Sequence, residues 1–346
     1  MAGSSIGHLF RLTSFGESHG TAIGGVVDGC PSGLELDVAA VQRELDRRRP
    51  GSTAMGTTRT EADKVEFLSG VFEGKTLGTP IGFLLRNSDA KSDDYDVLRT
   101  VYRPGHADEV YERKYGLRDH RGGGRSSART TAACVVGGAI ARQLLAQEGV
   151  SVRASVSAVG EVEAGRTDRL FEPEAVWAHA VRCGDAEAAD RMARLIEQVR
   201  TEGDSVGGVV SCRVTGLPPG LGEPVFDKLE ADLGKALLSI NASKGFQFGN
   251  GFAAARMRGS QHNQLDQGGV LGGISDGKVL RFDVAFKPTS TIGTAQATTN
   301  RAGEAVTLEA KGRHDPCVVP RAVPIVEAMT CLVLADHLLR DRAARV

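Results

Sequence analysis

Five short segments concentrate the side chains that can move protons or grip anions. Phe15-Gly16-Glu17-Ser18-His19-Gly20 sets a histidine on a glycine-flanked turn, where exposed backbone can offer the ring to a ligand. Arg103-Pro104-Gly105-His106-Ala107-Asp108 puts a second histidine on a Pro-Gly turn, with an acid two residues on. Asp119-His120-Arg121-Gly122-Gly123-Gly124-Arg125-Ser126-Ser127-Ala128-Arg129 precedes a long apolar stretch; consecutive glycine N–H groups, serine hydroxyls, arginines and a helix N-terminus together make an anion cradle. It is neither a dinucleotide fingerprint nor a Walker A loop, so neither of those nucleotide-binding readings has support. Lys287-Pro288-Thr289-Ser290-Thr291 is basic and hydroxyl-rich, and Lys311-Gly312-Arg313-His314-Asp315-Pro316-Cys317 adds further charge. Taken singly, each is an ordinary polar loop, and a loop histidine more often packs than reacts. Together they amount to an acid–base and anion-holding inventory.

The elements that must carry these loops are legible from spacing. Val38, Val41 and Leu45 after Asp37 predict a helix closing on Arg47-Arg48-Arg49 before Pro50-Gly51. A second helix spans 128–148, where Gly137-Gly138 lowers helix propensity and so predicts a close packing contact. A third spans 187–202. Phe226, Leu229, Leu233, Leu237 and Ile240 mark a fourth, and the fifth runs from Ala322 through Leu338. Strand-like runs lie at 23–27, 65–72, 81–85, 151–159, 206–214 and 279–286, and turns such as Glu73-Gly74-Lys75 predict hairpins and a largely antiparallel sheet. No linker, repeat or charge block divides 1–346, so one α+β domain is the economical expectation.

Composition narrows the function. The chain has 42 basic and 43 acidic residues, a net charge of -1, which offers nothing to nucleic acid or a membrane surface. Glycine is abundant at 44 residues, and the basic residues divide into 10 Lys and 32 Arg. Arginine's planar fork suits a small anionic substrate, although codon bias explains the excess equally well. The six cysteines are scattered without a C-x-x-C pair, which predicts reduced, mostly buried thiols and no metal site. With no signal-like run and no uninterrupted apolar span of about 18 residues, a cytoplasmic protein is expected.

The Phe15–Gly20, Arg121–Arg129 and Arg313–Cys317 runs resemble the three signature regions of the chorismate synthase family. The likeness extends from Ile6-Gly7-His8-Leu9-Phe10 to Asp336-His337-Leu338-Leu339, through Leu68–Gly74, Ser239-Ile240-Asn241-Ala242 and Gly272-Gly273-Ile274-Ser275. It implies a β-α-β sandwich of antiparallel sheets with helices, assembled as a homotetramer. It also implies conversion of 5-enolpyruvylshikimate 3-phosphate to chorismate by 1,4-anti elimination with reduced FMN, supplied by an external flavin reductase or reductant. The family is associated with NADP, although no dinucleotide fingerprint is present in this chain. By this resemblance His19 would protonate the departing phosphate, His106 would protonate or stabilise the reduced flavin, and Asp315 would help flavin N5 take the substrate proton. Ser18, Arg48, Arg103, Arg129 and Arg313 would hold substrate anions. Arg125, Ser126, Ser127, Asn241, Ala242, Gly272, Lys287, Pro288, Thr289, Ser290 and Thr291 would hold FMN, with Arg313 near both.

Some positions depart from the family pattern. Ala54 stands where a substrate-binding arginine is expected, with Arg59 the nearest replacement. Thr130 replaces an acid, Cys134 a basic residue, and the loop before Gly268-Gly269 is shortened to Gln264-Leu265-Asp266-Gln267. These leave two readings open, the standard substrate or a modified cyclohexene handled by the same chemistry. A flavin oxidoreductase or flavin carrier is the reading from another class.

Overall fold

Two antiparallel sheets enclose a layer of helices. The computed structural model describes residues 3–49, 51, 55, 63–87, 97–309 and 315–344. The first half of the chain contributes β1 (Ser5–Ile6), β2 (Arg11–Phe15), β3 (Ala22–Asp28), α1 (Val38–Arg48), β4 (Val65–Phe67), β5 (Val71–Phe72), β6 (Lys75–Thr76), β7 (Ile81–Arg86), α2 (Asp108–Tyr115) and α3 (Thr131–Gln147). There follow β8 (Ser151–Val159), β9 (Val162–Glu163), α4 (Pro173–Ala178), α5 (Ala186–Thr201), β10 (Gly208–Thr215), α6 (Leu229–Leu238) and β11 (Ser243–Phe248). The last stretch holds α7 (Gly251–Ala254), α8 (Gly259–His262), β12 (Val270–Leu271), β13 (Ile274–Ser275), β14 (Leu280–Phe286), β15 (Gln296–Thr299), β16 (Ala305–Leu308) and α9 (Val319–Ala343). One sheet runs β1-β2-β3-β7-β4 and the other β11-β14-β10-β8-β9, with every pair antiparallel. The expected α+β sandwich is therefore the fold observed.

Local chemistry explains the middle layer. Asp37 caps α1 by accepting from the Ala40 N–H at 2.9 Å, and Val41 and Leu45 then fall on the buried face. In α3 the glycine pair does what its cost predicts. A Cβ on Gly138 would lie 2.5 Å from the Ala328 backbone, so α3 and α9 touch main chain to main chain. Helix α9 is apolar and long enough to cross a membrane, but nearly all of it is buried, packed against α3, β8, β10 and α6. Its two buried acids are answered: Glu327 accepts from Arg142 and from the Ala154 N–H, both at 2.8 Å. Asp336 accepts from the N–H groups of His8, Leu9 and Phe10 at 2.8, 2.6 and 2.9 Å, pinning the start of the first sheet to the last helix.

Several boundaries differ from expectation. The 65–72 run is two strands, because Gly70, at φ +79, turns the chain against Ile81. The fourth helix starts at Leu229 instead of Phe226, which is 88% exposed in the preceding loop. Residues 128–130 form a 3-10 turn before α3 proper. The hairpin at Glu73-Gly74 forms as read, joining β5 to β6. All six cysteines are free, and burial raises every thiol, Cys30 to about 11 and Cys317 to about 12.

Candidate active site

Gly122, Gly123 and Gly124 all adopt left-handed backbone, with φ of +61, +92 and +54, a run that side chains would strain. The missing side chains make room for the two histidines. A Cβ on Gly122 would lie 2.1 Å from His19 Cε1 and 3.0 Å from Ser18 Oγ; one on Gly123 would lie 3.1 Å from His106 Cε1 and 3.4 Å from Arg103 Nη2. Segments about 85 residues apart in sequence thus bring their imidazoles to adjacent residues of one loop. Ser18 is buried, with its hydroxyl 3.2 Å from His19 Nδ1.

The remaining segments close around this pair. Ser290 donates to the Gly105 carbonyl at 2.8 Å, and Lys287 Nζ donates to Ser290 Oγ at 2.6 Å and to the Gly105 and Pro288 carbonyls at 3.3 and 3.4 Å. Thr289 donates to the Asp315 carbonyl at 3.0 Å. Asn241 donates to the Ser126 carbonyl at 2.7 Å, and the Lys287 N–H to that of Ala242 at 2.9 Å. Thr291 continues the same loop. Gly272 stands apart: it turns the β12–β13 hairpin beside the start of α6, whereas Asn241 follows its end. Ten helical residues make that a separation of roughly 15 Å.

Several expected anion holders already have protein partners. Arg48 is fully buried; it donates to Thr131 Oγ1 at 3.1 Å, to the Ala128 carbonyl and, at 3.4 Å, to Asp63. Arg129 also pairs with Asp63 and donates to Asn87 Oδ1 at 3.1 Å. Arg103 grips Asp108 with Nε at 2.8 Å and Nη2 at 2.9 Å. Arg125 reaches back to Ser14 and to the Gly16 carbonyl, fastening the glycine loop to β2. Ser126 donates to Gly123, Ser127 caps the Arg129 N–H, and Thr130 donates to the Ser127 carbonyl at 2.9 Å. Asp315 pairs with Arg321. In the shortened loop Asp266 pairs with Arg281 at 2.9 Å, and Cys134 lies half-buried on α3. Arg313, Ala54 and Arg59 lie outside the described residues.

Sequence reasoning did not single out Asp63, Asn87 or the function of Asp108. Asn87 donates to the Glu17 and Gly20 carbonyls at 3.0 and 2.8 Å while accepting from Arg129, so it fixes the His19 loop. Burial pushes the Asp108 carboxyl up, but Arg103 and His106 outweigh it and hold the group far below the usual range. Lys287 differs from the arginines. Burial, then Lys244, lowers its pKa, and no carboxylate pairs with it among the described residues. A partly desolvated cation surrounded by neutral oxygens suits an incoming anion such as a phosphate.

A helix-filled β sandwich with histidines and arginines gathered at a glycine loop, and a lysine without a carboxylate partner among the described residues, defines an enzyme built for a small anionic substrate. The sequence pattern of chorismate synthase matches residues 10–339. The chorismate synthase of Christiangramia forsetii is 54% identical, with full coverage of both chains, and that of Synechocystis is 54% identical over 99% of this chain and 98% of its own. A crystal structure of chorismate synthase superposes with a TM-score of 0.75 at 29% identity, covering 97% of this chain and 93% of the other. The chain belongs to the chorismate synthase family, and its activity is that of a chorismate synthase, a lyase.

Proposed function

We propose that the chain converts 5-enolpyruvylshikimate 3-phosphate to chorismate and phosphate by a reduced-FMN-dependent 1,4-anti elimination. The observation that carries this reading is the convergence of His19 and His106 on Gly122-Gly123. The elimination breaks one C–O bond to phosphate and one C–H bond, forms a C=C bond, and leaves no net redox change. It therefore needs a proton donor at the leaving group and an acceptor for the ring proton.

Ser18, with its hydroxyl beside Nδ1, orients the His19 ring, which gives its proton to a phosphate oxygen. Arg103, Arg129 and Arg313 hold the substrate's carboxylates and phosphate. Asp315, steadied by Arg321, is the carboxylate that would help take the proton removed from the ring. Lys287 with Ser290, and the loops of Ser126, Ser127, Asn241 and Ala242, would hold the FMN phosphate; the Lys287 ammonium, with no carboxylate partner among the described residues, fits that charge. When bound, reduced FMN supplies an electron that is returned by the end of the turnover. His106 would stabilise negative charge on it. We further propose a single domain over 1–346, a cytoplasmic homotetramer, and an external reductant for the flavin.

The test is anaerobic turnover of the standard substrate with chemically reduced FMN, following chorismate optically. Formation only in the presence of reduced FMN supports the assignment. No turnover of this substrate, with turnover of a modified cyclohexene phosphate, would reject it.

A further inference from the structure

We propose that Asp108 is a positioning residue that presents His106 and Arg103 to the site, setting the proton of His106 on Nδ1. The inference deepens the proposed function and rests on it only for the role of His106. Asp108 opens α2, and its carboxylate turns back over the Arg103–His106 turn with only 2% of the side chain exposed. Oδ2 accepts from the Arg103 N–H at 3.2 Å and from Nε at 2.8 Å. Oδ1 accepts from Arg103 Nη2 at 2.9 Å and faces His106 Nδ1 at 3.0 Å and Arg118 Nη1 at 3.5 Å.

Two of these atoms have nowhere else to go. His106 Nδ1 and Arg118 Nη1 are buried and make no well-aligned hydrogen bond among the described residues. The His106 contact is short but oblique, the geometry that tightens when a site fills. A carboxylate can only accept, so the neutral imidazole facing it must carry its hydrogen on Nδ1. The ring then offers Nε2 as an unprotonated atom, or as a second donor once cationic. Gly123, lacking a side chain, leaves room beside it for His106 Cε1 and Arg103 Nη2, which a Cβ there would approach to 3.1 and 3.4 Å. The proximity in sequence, His106 to Asp108, makes the pair a local unit of one turn and one helix start.

The experiment needs no bound flavin. Cofactor-free protein is labelled with 15N in its eight histidines, His106 is assigned by comparison with His106→Gln, and long-range proton–nitrogen spectra are recorded at about pH 9, above the ordinary histidine range. The wild type is expected in the Nδ1–H form, and Asp108→Asn is expected to move the population toward Nε2–H. In the same variant, turnover should fall roughly 10- to 100-fold, the usual loss for a group that orients a functional side chain. An Nε2–H tautomer in the wild type would overturn the proposal, and so would an unchanged tautomer in the variant. If Asp108→Asn does not fold, the wild-type spectrum decides. A wild type that fails to make chorismate would sink the proposed function while leaving the tautomer readable.

Discussion

Substituting Gly122 by Ala separates backbone strain from damage to the site. At φ +61 the new residue carries a left-handed penalty of about 1–2 kcal/mol. Its Cβ would fall 2.1 Å from His19 Cε1, and ordinary contact begins at 3.4 Å, so the ring must retreat by about 1.3 Å. Displacements of about 1 Å in a reacting group cost on the order of 100-fold in rate. Gly116→Ala is the control: φ is +74 there, and nothing lies within 4 Å of the new methyl. Both variants should lose stability in a denaturant titration, Gly122→Ala at least as much as Gly116→Ala. Only Gly122→Ala should lose about two orders of magnitude in kcat/KM for chorismate formation. Turnover within a few-fold of wild type in that variant, with stability reduced as expected, would refute the placement of His19 against the glycine loop as a catalytic requirement.

Gly138→Ala should destabilise the protein by about 1–2 kcal/mol, because about 1 kcal/mol of helix propensity does not offset overpacking against Ala328; a raised denaturation midpoint would contradict the packing. Asp185 caps α5 through the Ala188 N–H and also binds the Gly165 N–H, contacts that lower its pKa. Asp185→Ala should cost about 0.5–2 kcal/mol at neutral pH. Because the folded pKa is depressed, that difference from wild type is full above the unfolded value of about 3.9 and shrinks as pH falls through the lowered one; melts across this window test it. Lys287→Met should weaken FMN binding roughly 10- to 150-fold by calorimetry, and unchanged affinity would remove Lys287 from the cofactor site.

What could be read from the sequence was whatever local chemistry decides. Asp37 and the Val41/Leu45 spacing define α1 without outside help, and Gly137-Gly138 announced a helix crossing that α9 supplies. Strand β2 was not read because Leu12 is its one buried residue, and β11 because its residues are all half-buried or exposed, without alternation. Helix α2 was missed for a related reason: only Asp108 in it is buried, so no apolar stripe marks it. The site's loops stood out through glycine and charge, and the resemblance supplied their roles. Asp63 did not stand out, since a carboxylate between Arg48 and Arg129 is a product of tertiary folding. Gly272 was assigned by resemblance alone, and no local pattern could have said that it lies beyond the far end of α6.

The burial of α9 has a consequence for synthesis. Every element it packs against precedes it in the chain, including α3, which is complete about 200 residues earlier. At the ribosome's pace of about 5–20 residues per second, that is a wait of roughly 10–40 s. During it the parts of β8 and β10 that α9 covers, and the Gly137-Gly138 groove of α3, lack their partner. Asp336 is likewise absent when His8, Leu9 and Phe10 emerge, so their N–H groups stay bound to water. One central helix of this enzyme is made only after every element it packs against. A premature stop just before Val319 would leave those surfaces open, so the truncated product is expected to aggregate although both sheets are encoded.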